Sequence, residues 1–115
     1  MKLVVAYIQP ERLEGVKTAL ARAGVSRLSV AAVQGFGRQR GHTDVPRGRD
    51  SGATLLPKTR IEVALKDELV EPAVQAIIGA ARSAEGGRIG DGKIFILPVE
   101  GVIRIRTGER GEKAL

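Results

Sequence analysis

Apolar and polar residues follow one another along the chain in patterns that predict four strands and two helices. The apolar run at residues 2–9 is too short for a helix and indicates a central strand. In residues 59–66, Ile61, Val63 and Leu65 alternate with other positions, which is typical of a half-exposed strand. Two further strands are predicted at residues 27–36 and 93–99, and a short extended piece is predicted at residues 102–107.

Two segments between these strands carry apolar residues at helical spacing. In residues 11–24, Leu13, Val16 and Leu20 recur every three or four positions, and Gly24 is a natural stop. A second stripe runs through residues 68–83 after Asp67, which is predicted to cap that helix. The order β-α-β-β-α-β predicts an α+β fold, the ferredoxin-like sandwich with both helices on one face of the sheet.

The other face of such a sheet needs a cover. The strands are dominated by valine, isoleucine, leucine and alanine, and the chain has only three aromatic residues. This composition predicts packing between subunits rather than an aromatic platform for a ligand. The aromatic residues, Tyr7, Phe36 and Phe95, are each expected in the core.

One segment, residues 37–57, shows no periodicity and is far longer than an ordinary hairpin loop. Either the strand assignment is wrong or this segment is a functional loop, and the clear strands on both sides favour the functional loop. Its arginines outnumber its aspartates, which favours an anionic or carbonyl-rich partner surface. Its few large apolar residues indicate that it is ordered only by an effector or a partner.

Composition narrows the class of protein. A length of 115 residues predicts a single domain, residues 1–115, and the absence of cysteine excludes disulfides and zinc–sulfur sites. The chain carries 19 Lys+Arg against 13 Asp+Glu, and this net charge of +6 is explained either by an anionic partner or by solubility. No apolar run suggests a membrane span or a signal peptide, so we expect a cytoplasmic protein without direct membrane insertion.

The glycine-rich stretch from Gly86 to Lys93 contains the pattern G-x-x-x-x-G-K. The match to a phosphate-binding P-loop fails at Ile94, where Ser or Thr would hold magnesium, and a strand follows instead of a helix. Such a loop can still bind an anion through its backbone N–H groups, although it can equally be a plain connection. Asp91 within it is interpreted as a turn-former or a ribose contact.

Two arginines, Arg104 and Arg106, would point to the same side of an extended strand. Guanidinium groups placed side by side repel unless they share an anion such as a triphosphate, and a solvated strand face is the alternative. His42, the only histidine, is a poor metal ligand by itself. No combination of nucleophile and base is apparent, so an enzyme is not predicted.

Four longer motifs carry a resemblance that covers nearly the whole chain. The motifs are GFGRQRGHT at 35–43, LPK at 56–58, IGDGKIF at 89–95 and VIRIRTGERG at 102–111. They resemble the PII nitrogen-regulatory signal-transduction family. The resemblance implies a homotrimer of ferredoxin-like subunits with ATP or ADP in the clefts between subunits. It also implies 2-oxoglutarate beside Mg-ATP, a signal of carbon/nitrogen or energy status, and a long loop that docks on target proteins.

The resemblance also implies roles for individual residues. Gln39 would meet magnesium and 2-oxoglutarate, Lys58 would bind the 2-oxoglutarate carboxylate, and Arg47 matches a position that can plug an ammonium channel, so a transporter is one possible partner. Residues that match the nucleotide site, besides Gln39, are Ser29, Gly37, Arg38, Ala64, Gly90, Asp91, Gly92, Lys93, Arg104 and Arg106.

Two departures from the family pattern leave alternatives open. Ser51 stands where the family usually carries a modified tyrosine, and the lead SAEGG at 83–87 is longer than usual. An alternative is therefore a paralogue that senses adenine nucleotide and another small anion, such as bicarbonate in inorganic-carbon metabolism. A nucleic-acid binder of the same strand order is disfavoured, because the first strand has only Tyr7 and the third has no aromatic residue for base stacking.

Overall fold

The described residues form four strands and two α-helices, with short 3₁₀ turns at Pro10–Arg12 and Glu112–Ala114. The structure, a computed structural model, describes residues 1–36, 54–84 and 86–115. The strands are β1 (Lys2–Ile8), β2 (Ser29–Gly35), β3 (Leu56–Leu65) and β4 (Gly92–Pro98), and the helices are α1 (Leu13–Arg22) and α2 (Asp67–Ala81). The predicted β-α-β-β-α-β order is therefore confirmed.

The strands form one antiparallel sheet in the order β2-β3-β1-β4. In the register, Ile8 of β1 lies opposite both Thr59 of β3 and Gly92 of β4. The segment that enters β4 is thus brought to the same end of the sheet as the last residue of β1. We call this the glycine-turn end of the sheet.

Both helices cover one face of the sheet, as the apolar stripes predict. Val4, Ala6 and Ile8 of β1 alternate inward and pack with the buried residues of β3 and the two helices. Val16 and Leu20 of α1 and three residues of α2, Ala73, Ile77 and Ala81, complete this core. Full burial of each valine, leucine or isoleucine side chain in this core contributes roughly 1.5–3 kcal/mol.

In the part of the chain that the structure describes, no helix covers the opposite face of the sheet, which we call the open face. Strand alternation places Leu3, Val5 and Tyr7 of β1 on this face, between β3 and β4. Their neighbours on β4 include Phe95 and Leu97, which are 48% and 43% exposed. The predicted need for a cover is therefore evident in the described part of the chain.

The expectation of a buried core position is wrong for two aromatic residues. Phe95 lies on the open face, where its ring packs edge-on against Tyr7 at a centroid distance of 6.1 Å. Phe36, which follows the end of the edge strand β2, is 63% exposed. Tyr7 is half-buried.

Two boundaries also differ from the expectation. Asp67 is the first residue of α2 and not its cap, which is Lys66, and the Asp67 carboxylate accepts a hydrogen bond of 2.9 Å from the Met1 ammonium. Strand β3 begins at Leu56, so the last two residues of the predicted 37–57 loop belong to the sheet. Pro57 favoured a loop, yet proline is tolerated near the start of a strand.

Candidate functional site

The glycine-rich turn between α2 and β4 occupies the glycine-turn end of the sheet. Gly92 has φ of +125° and lies against the backbone of Tyr7, so a Cβ at this position would overlap the Tyr7 carbonyl oxygen. Gly90 has φ of +103°, a conformation that side chains disfavour. The glycines let the turn run directly against the end of β1.

Asp91 ties this turn together. One of its carboxylate oxygens, Oδ2, accepts backbone hydrogen bonds from Ser83 at 3.0 Å and from Arg88 at 2.9 Å. Burial by itself would raise the pKa of Asp91, but these hydrogen bonds outweigh it and hold the pKa below its usual value. The structure gives Asp91 the turn-forming role that the sequence suggested.

Two side chains donate to a single backbone oxygen in the turn. Gln9 Nε2 lies 2.7 Å from the Gly90 carbonyl oxygen, and Lys58 Nζ lies 3.0 Å from the same atom. Lys58, expected at an anion site, is thus placed beside the turn. The sequence patterns did not point to Gln9, whose only signal was a polar residue between an apolar strand and Pro10.

A cleft of about 710 Å³ adjoins the turn on its helix side. Its walls are mainly apolar residues of α2 and β4, and three cations, Arg82, Arg88 and Lys93, contribute to its lining. Lys93 is the first residue of β4 after Gly92 and lies opposite Tyr7. The volume falls in the range of small-molecule sites. Asp91 also belongs to the lining, so three cations stand against one carboxylate there.

The segment that carries Arg104 and Arg106 is a tight turn and not an extended strand. Gly108 N–H donates to the Arg104 carbonyl at 2.7 Å, and Arg104 N–H donates to the Glu109 carbonyl at 2.9 Å. Residues 105–107 form the turn, and Ile103 makes a single bridge with Arg110. The prediction of an extended piece over residues 102–107 is therefore wrong, because Gly108 lets the chain reverse.

The two arginines consequently have different surroundings. Arg104 Nη1 lies 2.8 Å from Glu109 Oε1, and its Nη2 donates to the Lys113 carbonyl at 2.9 Å. Arg106 is exposed in the turn, and it makes no ion pair with a described residue. The two guanidinium groups therefore do not share one strand face in this structure.

Ser29 and Ala64 lie away from the glycine turn. Ser29 opens β2, the edge strand opposite β4, and pairs with Glu62 of β3. Ala64 lies opposite Leu3, towards the far end of the sheet. Within one chain, Ser29 at the β2 edge is thus separated from Gly92 and Lys93 at the β4 edge.

The remaining expected site residues, Gly37, Arg38, Gln39 and Arg47, lie outside the described residues. The same is true of most of the 37–57 loop. Among the described residues, no group of three or more acidic or histidine side chains could hold a metal ion. Within the same ranges, no helix is long and apolar enough to cross a bilayer.

Comparison with known proteins gives one consistent family. The family model for nitrogen regulatory protein P-II matches residues 1–109. The nitrogen regulatory protein P-II of Cereibacter sphaeroides is 56% identical over 115 residues, and that of Azospirillum brasilense is 50% identical, with both chains covered fully in each case. A crystal structure of Arabidopsis thaliana PII bound to citrate is 39% identical, with a TM-score of 0.78, and the match covers 99% of this chain and 91% of the plant chain.

Proposed function

This chain belongs to the nitrogen regulatory protein P-II family, and from that premise we propose that it binds ATP or ADP between the subunits of a homotrimer. In this proposal the bound nucleotide, with Mg²⁺ and 2-oxoglutarate, reports carbon/nitrogen or energy status to target proteins. Its relatives are named as regulatory proteins and not as enzymes.

The observation that carries the proposal is the separation of the candidate residues within one chain. Ser29 lies on edge strand β2, whereas Gly92 and Lys93 begin the opposite edge strand β4. Three interstrand spacings, about 14 Å, separate these edges. We propose that residues of the two edges act on one nucleotide because the β2 edge of one copy lies beside the β4 edge of another.

The open face supports an assembly of this kind. Apolar side chains of β1 and β4 lie on it, and Phe95 and Leu97 stay almost half exposed. Arg60 and Glu62 of β3 form an ion pair on the same face, so these charges compensate each other there. A subunit packed on this face would remove the exposed apolar surface from water.

The glycine turn supplies features that suit phosphate and small carboxylates. The backbone approaches closely at Gly92, and the exposed cations Arg88 and Lys93 lie beside it. Lys58 places an ammonium group within 3.0 Å of the turn. The bound citrate of the plant relative is in keeping with a polycarboxylate ligand, and here we propose 2-oxoglutarate held by Lys58, Gln39 and Mg²⁺.

The proposal assigns the output to residues 37–57, with Arg47 as a contact to a target protein or transporter. No tyrosine is present in this segment, so control by modification of a loop tyrosine is not available. Ligand occupancy then sets the signal. This loss of the tyrosine also favours the second candidate, a paralogue that combines adenine nucleotide with another anion such as bicarbonate.

Isothermal titration calorimetry separates these candidates. The full chain is titrated with ADP and with Mg-ATP, and the Mg-ATP titration is repeated with 2-oxoglutarate or with bicarbonate. We expect nucleotide binding, with tighter Mg-ATP binding in 2-oxoglutarate. Enhancement by bicarbonate alone would favour the paralogue, and the absence of any nucleotide binding would contradict both candidates.

A further inference from the structure

The Gly90 carbonyl oxygen is a shared anchor for two strands. A carbonyl oxygen has two lone pairs and can accept both the Gln9 and the Lys58 hydrogen bond at once. Gly90 lies two residues before β4, so these bonds fix the turn at its entry into the sheet. Either donor alone is enough to keep the carbonyl oxygen paired.

Both donors reach this atom because of the sheet register. The pairing of β1 with β3 ends at Ile8 and Thr59, and Gln9 and Lys58 each lie one residue beyond that pair. The two side chains therefore stand next to each other at the glycine-turn end of the sheet. Gly92 lies opposite Ile8, which brings Gly90 to the same place.

The two donors respond differently to an anion. The Lys58 ammonium is a charge and is attracted to a carboxylate, whereas the Gln9 amide is neutral and gains much less from one. An anion that takes Lys58 removes one hydrogen bond from the Gly90 carbonyl. The Gln9 bond, at 2.7 Å, is the one that stays.

On the basis of the proposed function, we infer that Gln9 is a positioning residue that holds the Gly90 carbonyl when a bound anion draws Lys58 away. The turn then keeps its shape for the nucleotide while the effector occupies the lysine. Gln9 thereby sets how strongly the anion and the nucleotide favour each other's binding. Lys58 binds the effector, and Gln9 preserves the turn.

The test is Gln9→Met in the full chain, because methionine has a similar length but no N–H donor. Mg-ATP is titrated calorimetrically with and without saturating 2-oxoglutarate. The weakening of Mg-ATP binding by Gln9→Met should be about three- to tenfold larger with 2-oxoglutarate than without it, the range for one net hydrogen bond. By linkage, the affinity of the variant for 2-oxoglutarate should fall by the same additional factor when nucleotide is present.

The matched control is Gln75→Met. Gln75 of α2 also donates one side-chain hydrogen bond, at 2.8 Å to Glu71, but it is exposed on the helix layer. The control should behave as the wild-type chain in every titration. If Gln9→Met only lowered the general stability of the chain, its effect on Mg-ATP binding would be the same with and without 2-oxoglutarate. The ratio of these two effects therefore separates a positioning role from a purely structural one.

A second measurement needs no ligand. Gln9→Met, Lys58→Met and the double variant are compared by amide hydrogen exchange at Asp91, whose N–H donates to the Arg88 carbonyl at 3.1 Å in the turn. If either donor suffices, the acceleration in the double variant should exceed the product of the single accelerations by about three- to tenfold. Multiplicative accelerations would overturn the shared anchor.

The two failures can be told apart. A wild-type chain that binds no Mg-ATP would overturn the proposed function, and the exchange experiment would still decide whether the anchor is shared. A wild-type chain that binds Mg-ATP, with a Gln9→Met effect that is equal with and without 2-oxoglutarate, would overturn the inference alone.

Discussion

Two nearby arginines, Arg104 and Arg106, have different roles in the C-terminal turn. Arg104 is paired with Glu109 and bonded to the Lys113 carbonyl, so its charge is compensated and it stabilises the turn. Arg106, two residues later, is exposed and makes no ion pair within the described ranges. Of the two, Arg106 is the guanidinium that a nucleotide phosphate can engage without breaking an existing ion pair.

We therefore expect Arg106→Ala to weaken ADP binding while the fold is kept. Loss of one charge-assisted hydrogen bond costs about 1.5–3 kcal/mol, roughly ten- to a hundredfold in affinity. Calorimetry measures the affinity. The control is Arg110→Ala, which removes another exposed arginine of the same turn region. Equal ADP affinity for Arg106→Ala and the wild-type chain would remove Arg106 from the site.

Asp91 gives a prediction that depends on pH. The pKa of Asp91 is lowered in the folded chain, because the Ser83 and Arg88 N–H groups stabilise its carboxylate more than burial opposes it. Its contribution to stability is therefore full above the ordinary aspartate pKa of about 3.9 and is lost as the pH falls through the lower folded value.

Thermal unfolding of Asp91→Asn and the wild-type chain tests this sign. We expect the variant to melt at a lower temperature at pH 7, because its amide binds the two N–H groups less strongly, and we expect this difference to shrink by pH 3. Glu100→Gln is the control, since that exposed carboxylate makes no hydrogen bond to another described residue. A difference that grows towards acid pH would contradict the role of the carboxylate.

At the scale of elements, sequence patterns predict a strand or helix correctly where burial of its apolar face determines the structure. The alternation in β3 and the helical stripes specify which face of each element meets the core, and the structure follows them. The alternation of isoleucine and arginine over residues 102–107 led to a wrong prediction, because among the described residues that segment makes only a single strand bridge and the turn at Gly108 decides its path. Gln9 was missed because its partner is a backbone carbonyl 81 residues away.

Glycine substitutions at two places should have opposite effects on stability. Gly79 lies exposed within α2, where an alanine Cβ would meet no neighbouring atom within 4 Å and φ is not positive, so Gly79→Ala should stabilise by about 0.5–1 kcal/mol. Gly108 is equally free of neighbours, but its φ is +75°, so Gly108→Ala should destabilise by about 1–2 kcal/mol. Urea unfolding measures both changes. The same sign for both would show that backbone conformation does not control these sites.

The whole molecule has a covered face and an open face, and the candidate nucleotide residues lie at both edges of the sheet. The helix layer protects the core of one chain, whereas Phe95 and Leu97 stay exposed on the other side. Assembly would cover this surface and complete the site in one step. A variant that does not assemble should therefore also fail to bind nucleotide.

Leu97→Asp tests this link, because a carboxylate on the open face would have to be buried in the assembly. Light scattering should give a mass of about three times 12.2 kDa for the wild-type chain and a lower mass for the variant. Circular dichroism checks that the variant folds, and ADP titration should show that binding falls with the mass. Thr18→Asp places the same charge on the exposed side of α1 and should keep both the mass and the affinity. If a folded Leu97→Asp monomer bound ADP with wild-type affinity, the sheet edges of two copies would not need to meet. A single chain would then form the nucleotide site, and the proposed link would be wrong.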